Sequence, residues 1–350
     1  MLRNSIFFGL TLGLSVAAFG CGGSDDDNNA ATNPEPTEQP CDCGQPPEDP
    51  EGPAGDGDGV VLAVNKLFLG DTDRNGTADP DAWKSIGYNL DNYKSTASSK
   101  NVCKPRAGAQ PSIHVDGNDG IDNAFGKGIL PAIALLADNP TATVNDEIAD
   151  GSFTLMLKLD EVGTGDNYSG IKASLYAGGN LEAEPKWDGT DEWPVMPELL
   201  NGGDINSPKI VFTDSYVADR TWVGKADKLD ISIAIQDVSL TLTINHAVIT
   251  MDLESGNSGA KNGTIAGILE VDQLLETISK AAPAIGGCDF DISQFQSVLD
   301  SLAQAADILA DGTQDPSKTC NGISIGLGFE AKPVQLGVVL EPSEGGGEEC

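Results

Sequence analysis

Apolar and polar positions alternate through most of the second half of the chain. Phe153, Leu155, Leu157 and Leu159 are separated by Thr154, Met156 and Lys158, and Ile171, Ala173, Leu175 and Ala177 repeat the pattern. A period of two sends successive side chains to opposite faces, so these runs predict strands with one buried face. The longest run is Leu229, Ile231, Ile233, Ile235, then Val238, Leu240, Leu242, Ile244, then Ile249, Met251, Leu253. Its phase changes twice. Gln236-Asp237 reads as a turn, and Asn245–Ala247 reads as a turn or bulge that puts His246 at a kink. Ile210–Val217, Trp222, Thr264–Leu269, Ile323–Ala331 and Val334–Leu340 are further strand candidates, with Gly256–Gly263 as a loop. The fold begins at Val60, where VVLAVNKLFLG is apolar enough for a buried strand.

Helical spacing appears late. Leu274, Leu275 and Ile278 suit a short helix capped by Asp272. Phe295, Val298, Leu299, Leu302, Ala306 and Leu309 suit a second, capped by Asp291 or Ser293 and ended by Gly312. Gly128–Ala137 predicts a short helix with Pro131 in its first turn. The expectation is a mainly β, antiparallel, β-sandwich-like domain with two or three short helices, spanning residues 60–340, with a candidate sub-boundary near 140–150.

One loop carries specific spacing. Asp71, Asp73, Asn75 and Asp79 stand at positions 1, 3, 5 and 9, Gly76 at 6, and Thr77 offers its carbonyl at 7. Calcium takes ~6–8 oxygen ligands, and alternate side chains around a sharp turn supply them. The loop resembles those of EF-hand-like, dockerin-like and thrombospondin type-3 modules over about a dozen residues, which implies Ca2+. Position 12 is Ala82 rather than Glu, so Asp81 or a distant carboxylate must close the shell. Asn89, Asp91 and Asn92 follow closely. A second acidic loop, Asp116–Asn123, offers Asp116, Asn118 and Asp122. It reads equally as a second ion site, as the missing ligands of the first, or as a hairpin tip held by Asx turns. The same residues form ordinary turns without an ion.

The formal charge of −34, from 20 basic and 54 acidic residues, argues against nucleic acid and anionic membrane surfaces as partners, because phosphate binding needs Lys and Arg. It favours cations. Arg3, the apolar run Ile6–Ala18 and Ala18-Phe19-Gly20-Cys21 form a targeting segment too short for an ordinary membrane span. Ala-Phe-Gly-Cys resembles a bacterial lipobox, although Phe19 and Ala18 depart from its usual residues. The resemblance implies a signal peptide over 1–20, acylation of Cys21 and a lipid anchor; Gly22 after the Cys resembles outer-membrane sorting, and Ser24–Asp27 is similar to acidic surface-export signals, which implies an outer-membrane or cell-surface location. Plain secretion is the alternative. Residues 21–59 hold eleven acidic residues and no Lys or Arg, a composition expected to stay disordered. Residues 341–350 are an acidic tail. Trp83, Gly87, Tyr88, Leu90 and Asp91, with Gly120–Asn123 after them, complete a resemblance to large bacterial surface lipoproteins of uncharacterised activity.

Six cysteines remain beside Cys21, and an even number in an exported chain suggests disulfides. Cys288 and Cys320 bracket a helix and are the expected pair. Cys41 and Cys43 are candidates to hold Cys103 and Cys350. Trp187 and Trp193, with carboxylates between them, could stack on a sugar or cap the β core. His114 and His246 are the only histidines, and no nucleophile elbow or phosphate loop accompanies them. The expected function is a non-enzymatic, calcium-stabilised surface lipoprotein that binds a glycan or protein ligand or acts structurally. A calcium-dependent carbohydrate-binding protein or carbohydrate-active enzyme is the alternative.

Overall fold

The computed structural model describes residues 40–134, 139–235, 238–286 and 292–341. Cys21, Cys288, Cys350 and the Gln236-Asp237 turn lie outside them. Ten strands form one sheet: β1 (Val60–Phe68), β2 (Thr154–Leu159), β3 (Tyr168–Gly178), β4 (Glu192–Val195), β5 (Ile210–Ala218), β6 (Thr221–Ile235), β7 (Val238–Leu253), β8 (Ala260–Glu270), β9 (Gly322–Pro333) and β10 (Gln335–Val339). Among the described residues four α-helices accompany them: α1 (Leu130–Ile133), α2 (Pro140–Ala149), α3 (Val271–Gly286) and α4 (Ile292–Ala303).

The sheet is a closed barrel, which overturns the expected sandwich. Strands run β3-β2-β1-β9-β8-β7-β6-β5, and β5 then pairs back on β3, from Tyr168 opposite Val217 to Leu175 opposite Ile210. Both architectures need the same in–out alternation, so the pattern of apolar positions does not separate them. Closure removes the two edges an open sheet would expose. β4 and β10 pair with each other in parallel outside the ring, joined to β3 at Gly178 and Val195.

Leu155, Leu157 and Leu159 of β2 face the main core with Ile323, Ile325, Leu327 and Phe329 of β9. Met156 faces outward into a second cluster with Ala63, Tyr176, Trp193 and Val195. Helix α2 touches β1 and β6, which stand on opposite sides of the ring, so it lies across the barrel. Asn145 holds it there, donating to Leu67 O at 2.8 Å and accepting from Leu67 N at 2.7 Å. At the other end Arg220 donates to Gly165 O, Glu254 O and the Asn257 side chain, tying three loops together. The ladder between β7 and β8 breaks from Asn245 to Val248, and exposed His246 sits there at φ 51°.

Residues 40–59 are placed along the barrel, although their composition predicts disorder. Tyr216 donates to Pro47 O at 2.6 Å, Ser169 N to Pro53 O at 2.9 Å, and Tyr168 to Asp56 at 2.6 Å. Their backbone groups find partners on the folded chain even though few of their side chains are apolar. Among the described residues, no helix is long and apolar enough to cross a membrane.

Candidate cation site

The segment between β1 and α2 covers the outer wall of the barrel. Glycine at 326 permits the approach, since a Cβ there would lie 2.2 Å from Ile86 O. Arg74 reaches Gly263 O at 2.7 Å and Thr264 Oγ1 at 2.9 Å on β8, and Tyr88 meets Thr250 on β7 at 2.8 Å. Asn123 donates to Ile86 O and Gly326 O, pegging the cover to β9.

The two acidic loops have different surroundings. Asp73 to Thr77 is a tight hairpin turn. The Asp73 carboxylate accepts from Asn75 N at 2.9 Å and Thr77 N at 2.8 Å, and Thr77 O accepts from Asp73 N. The Thr77 amide is the largest influence holding the exposed Asp73 carboxyl below its ordinary range. Asp79 accepts from Asp81 N, Asp81 pairs with Lys84, and Asp71 accepts from Thr141 of α2. Asn75 is exposed and turns its amide to Asp73. Apart from Asp71, each of these groups uses a local partner, as in an Asx turn.

Asp116 and Asp122 are hydrogen-bonded instead, and Asp91 is near enough for its charge to act on both, although the three carboxylates do not converge within 4.8 Å of one another. Residues 88–95 and 116–122 run side by side: Asp122 N donates to Tyr88 O, Leu90 N to Asp122 Oδ2 at 2.7 Å, Asp116 N to Ser95 O, and Ser95 N to Asp116 Oδ2. Gly120 lets the strips close, because a Cβ there would meet Asn89 Nδ2 at 2.7 Å and Tyr93 O at 2.8 Å. Asp91 accepts from Tyr93 N and from Gln314 Nε2, both at 2.8 Å. Asp91 and Asp122 are 5% and 3% exposed. Asn118 is exposed and gives its carbonyl to Ile121 N.

Burial makes this cluster costly when charged. Desolvation pushes Asp116 up to about 8, and the charges of Asp91 and Asp307 add to it; the Ser95 amide and a hydrogen bond with Asp122 oppose it. Asp122 is raised well above its ordinary value, by desolvation first and then by Asp91, Asp116 and Asp307. Asp307 rises to about 7 through burial, although Ser324 N and Oγ donate to it. The nearby cation, Lys127, is committed to the carbonyls of Ser112, Ile113 and Val115. Two neutral oxygens in the same strips have no partner, Asn89 Oδ1 and Ser95 Oγ, on residues only 2% and 4% exposed.

Sequence spacing missed Asp307, Ser95 and Gln314. An Asp inside Ala305-Ala306-Asp307-Ile308-Leu309 was the available signal, since an acid within an apolar run is buried or interrupts it.

The expected Cys288–Cys320 pair is corrected. Cys320 is bonded to Cys103, and Cys41 to Cys43. Position either side of a helix favours Cys288, but the backbone brings Cys103 to Cys320: Lys104 N donates to Lys318 O and Cys320 N to Lys104 O. The two-ring sugar platform is corrected as well. Trp193 is fully buried, donates to Gly179 O at 2.6 Å and packs against Trp187 with centroids 5.2 Å apart. Asp191, between them, accepts from Lys186 N and Trp187 N. No protein-family model matches the chain, and no curated protein or solved structure matches it.

Proposed function

We propose that this chain is a non-enzymatic, lipid-anchored protein of the outer membrane or cell surface, whose barrel carries a calcium-stabilised cover and serves a binding or structural role. Buried Asp91 and Asp122 with half-buried Asp116 nearby, and two oxygens without partners on the same strips, carry the calcium reading. A hard divalent cation matches an all-oxygen donor set and offsets repulsion that the protein's own cations leave in place. Asp91, Asp116 and Asp122 would supply the charge, and Asn89 Oδ1 and Ser95 Oγ the neutral ligands. The lipobox-like Ala18–Cys21 supports the anchor, and through it the membrane is a partner.

A ligand that binds only the folded state stabilises it by about 2.7 kcal/mol at a hundred times its dissociation constant. Millimolar calcium should therefore raise the melting temperature above that in EDTA by roughly 5–10 °C. Equal melting temperatures would remove the ion from the account. Mass spectrometry of the mature N-terminus should find an acylated Cys21; an unmodified terminus elsewhere would remove the anchor.

A further inference from the structure

A second cluster differs in chemistry. Cys103, Cys320 and His114 offer two sulfurs and an imidazole nitrogen whose ligand atoms all lie within 4.8 Å of one another. Both cysteines are fully buried and His114 is 4% exposed. His114 Nδ1 lies 3.0 Å from Asp307 O. A carbonyl only accepts, so Nδ1 carries the hydrogen and Nε2 presents a lone pair. That Nε2 is buried with no partner. The disulfide beside it has no hydrogen to give, so the oxidised state leaves the nitrogen unmatched.

We propose that Cys103, Cys320 and His114 form a metal site of the zinc class in the dithiol state of this protein, alternative to the Cys103–Cys320 disulfide. Two thiolates and an imidazole select a borderline-soft divalent ion, whereas the oxygen cluster suits a hard one. The Nδ1 contact to a backbone carbonyl is the arrangement that orients a metal-ligating histidine. The site does not depend on the disulfide for its shape. Lys104 and Lys318 pair at 2.7 Å, Cys320 N donates to Lys104 O at 3.0 Å, and Cys103 N donates to Gln314 Oε1 at 2.8 Å. These bonds hold the cysteines together when the sulfurs are not joined.

The chain is synthesised as the dithiol. Metal binding releases two thiol protons and forms two sulfur–metal bonds with no electron transfer. Disulfide formation instead releases two protons and passes two electrons to a disulfide oxidant, which leaves as a dithiol. A bound metal holds both thiolates and so opposes that oxidation. The inference does not depend on the calcium reading.

The test uses the full chain, reduced with a phosphine and titrated with Zn2+, or with Co2+ as a spectroscopic probe. Reduced wild type should retain one equivalent of zinc through gel filtration and show thiolate-to-cobalt charge transfer; oxidised wild type should do neither at this site. Cys103→Ser and Cys320→Ser should abolish both signals, and a Cys41→Ser, Cys43→Ser double variant should keep them. His114→Gln retains both thiols and should weaken zinc by at least the roughly 10–100-fold that loss of a residue merely orienting a ligand costs, which keeps the idea testable if the cysteine variants fail to fold. Absence of zinc from the reduced protein, reduced protein that unfolds whether or not zinc is present, or zinc that survives Cys103→Ser or is indifferent to His114→Gln would overturn the proposal.

Discussion

Asp71–Asp81 and Asp91–Asp122 are both rich in acidic residues, yet the structure treats them oppositely. In the first, each carboxylate has its own donor, backbone amides for Asp73 and Asp79, Thr141 for Asp71 and Lys84 for Asp81, and Asp73 ionises more readily than usual. In the second, Asp116 and Asp122 are desolvated beside one another and beside Asp91 and Asp307, and ionise less readily. The loop with the better motif has the more solvated carboxylates. Spacing alone describes a turn as well as an ion cage, because a turn also wants oxygens at alternate positions. What separates them is how much water remains and whether donors are left over, and both depend on residues distant in sequence.

The contrast exists because the covering segment is stapled to the barrel. Removing the staple is the largest perturbation. A Cys103→Ser, Cys320→Ser pair opens a connection 217 residues long and should cost up to about 5 kcal/mol by chain entropy. Denaturant unfolding measures it; a loss within error would mean the hydrogen bonds alone hold the cover. A smaller perturbation lifts the cover locally. Gly326→Ala pushes a methyl group into Ile86 O and should cost about 1–3 kcal/mol, with weaker calcium stabilisation. An unchanged calcium response would separate the cover's seating from the site.

Much of the fold was legible because strand alternation is local. β1, β2, β3, the β6–β7 hairpin and β9 follow from their own residues, and so does the irregularity at His246. Barrel closure was not legible, since β3 and β5 pair across a separation filled by β4 and a loop. Helix α2 was missed because its buried face is only Pro140, Thr141, Val144 and Ile148, too sparse to stand out. Residues 40–59 looked unfoldable because composition measures side chains, while this arm is held largely through backbone carbonyls and amides. At the site, Asp91, Asp116 and Asp122 were nameable as candidates beside Asp71–Asp81. Burial, set by Gly326, Gly120 and Asp307 from three separate stretches, was not.

The most direct measurement compares the calcium-induced rise in melting temperature for Asp122→Asn and Asp73→Asn. Asp122→Asn removes a charged ligand and a buried repulsion at once. It should melt higher than wild type in EDTA and lose most of the calcium-induced rise, a reversal worth on the order of 1–3 kcal/mol. Asp73→Asn should leave the calcium response as in wild type. A response lost with Asp73→Asn and kept with Asp122→Asn would contradict the account and return the ion to the exposed loop.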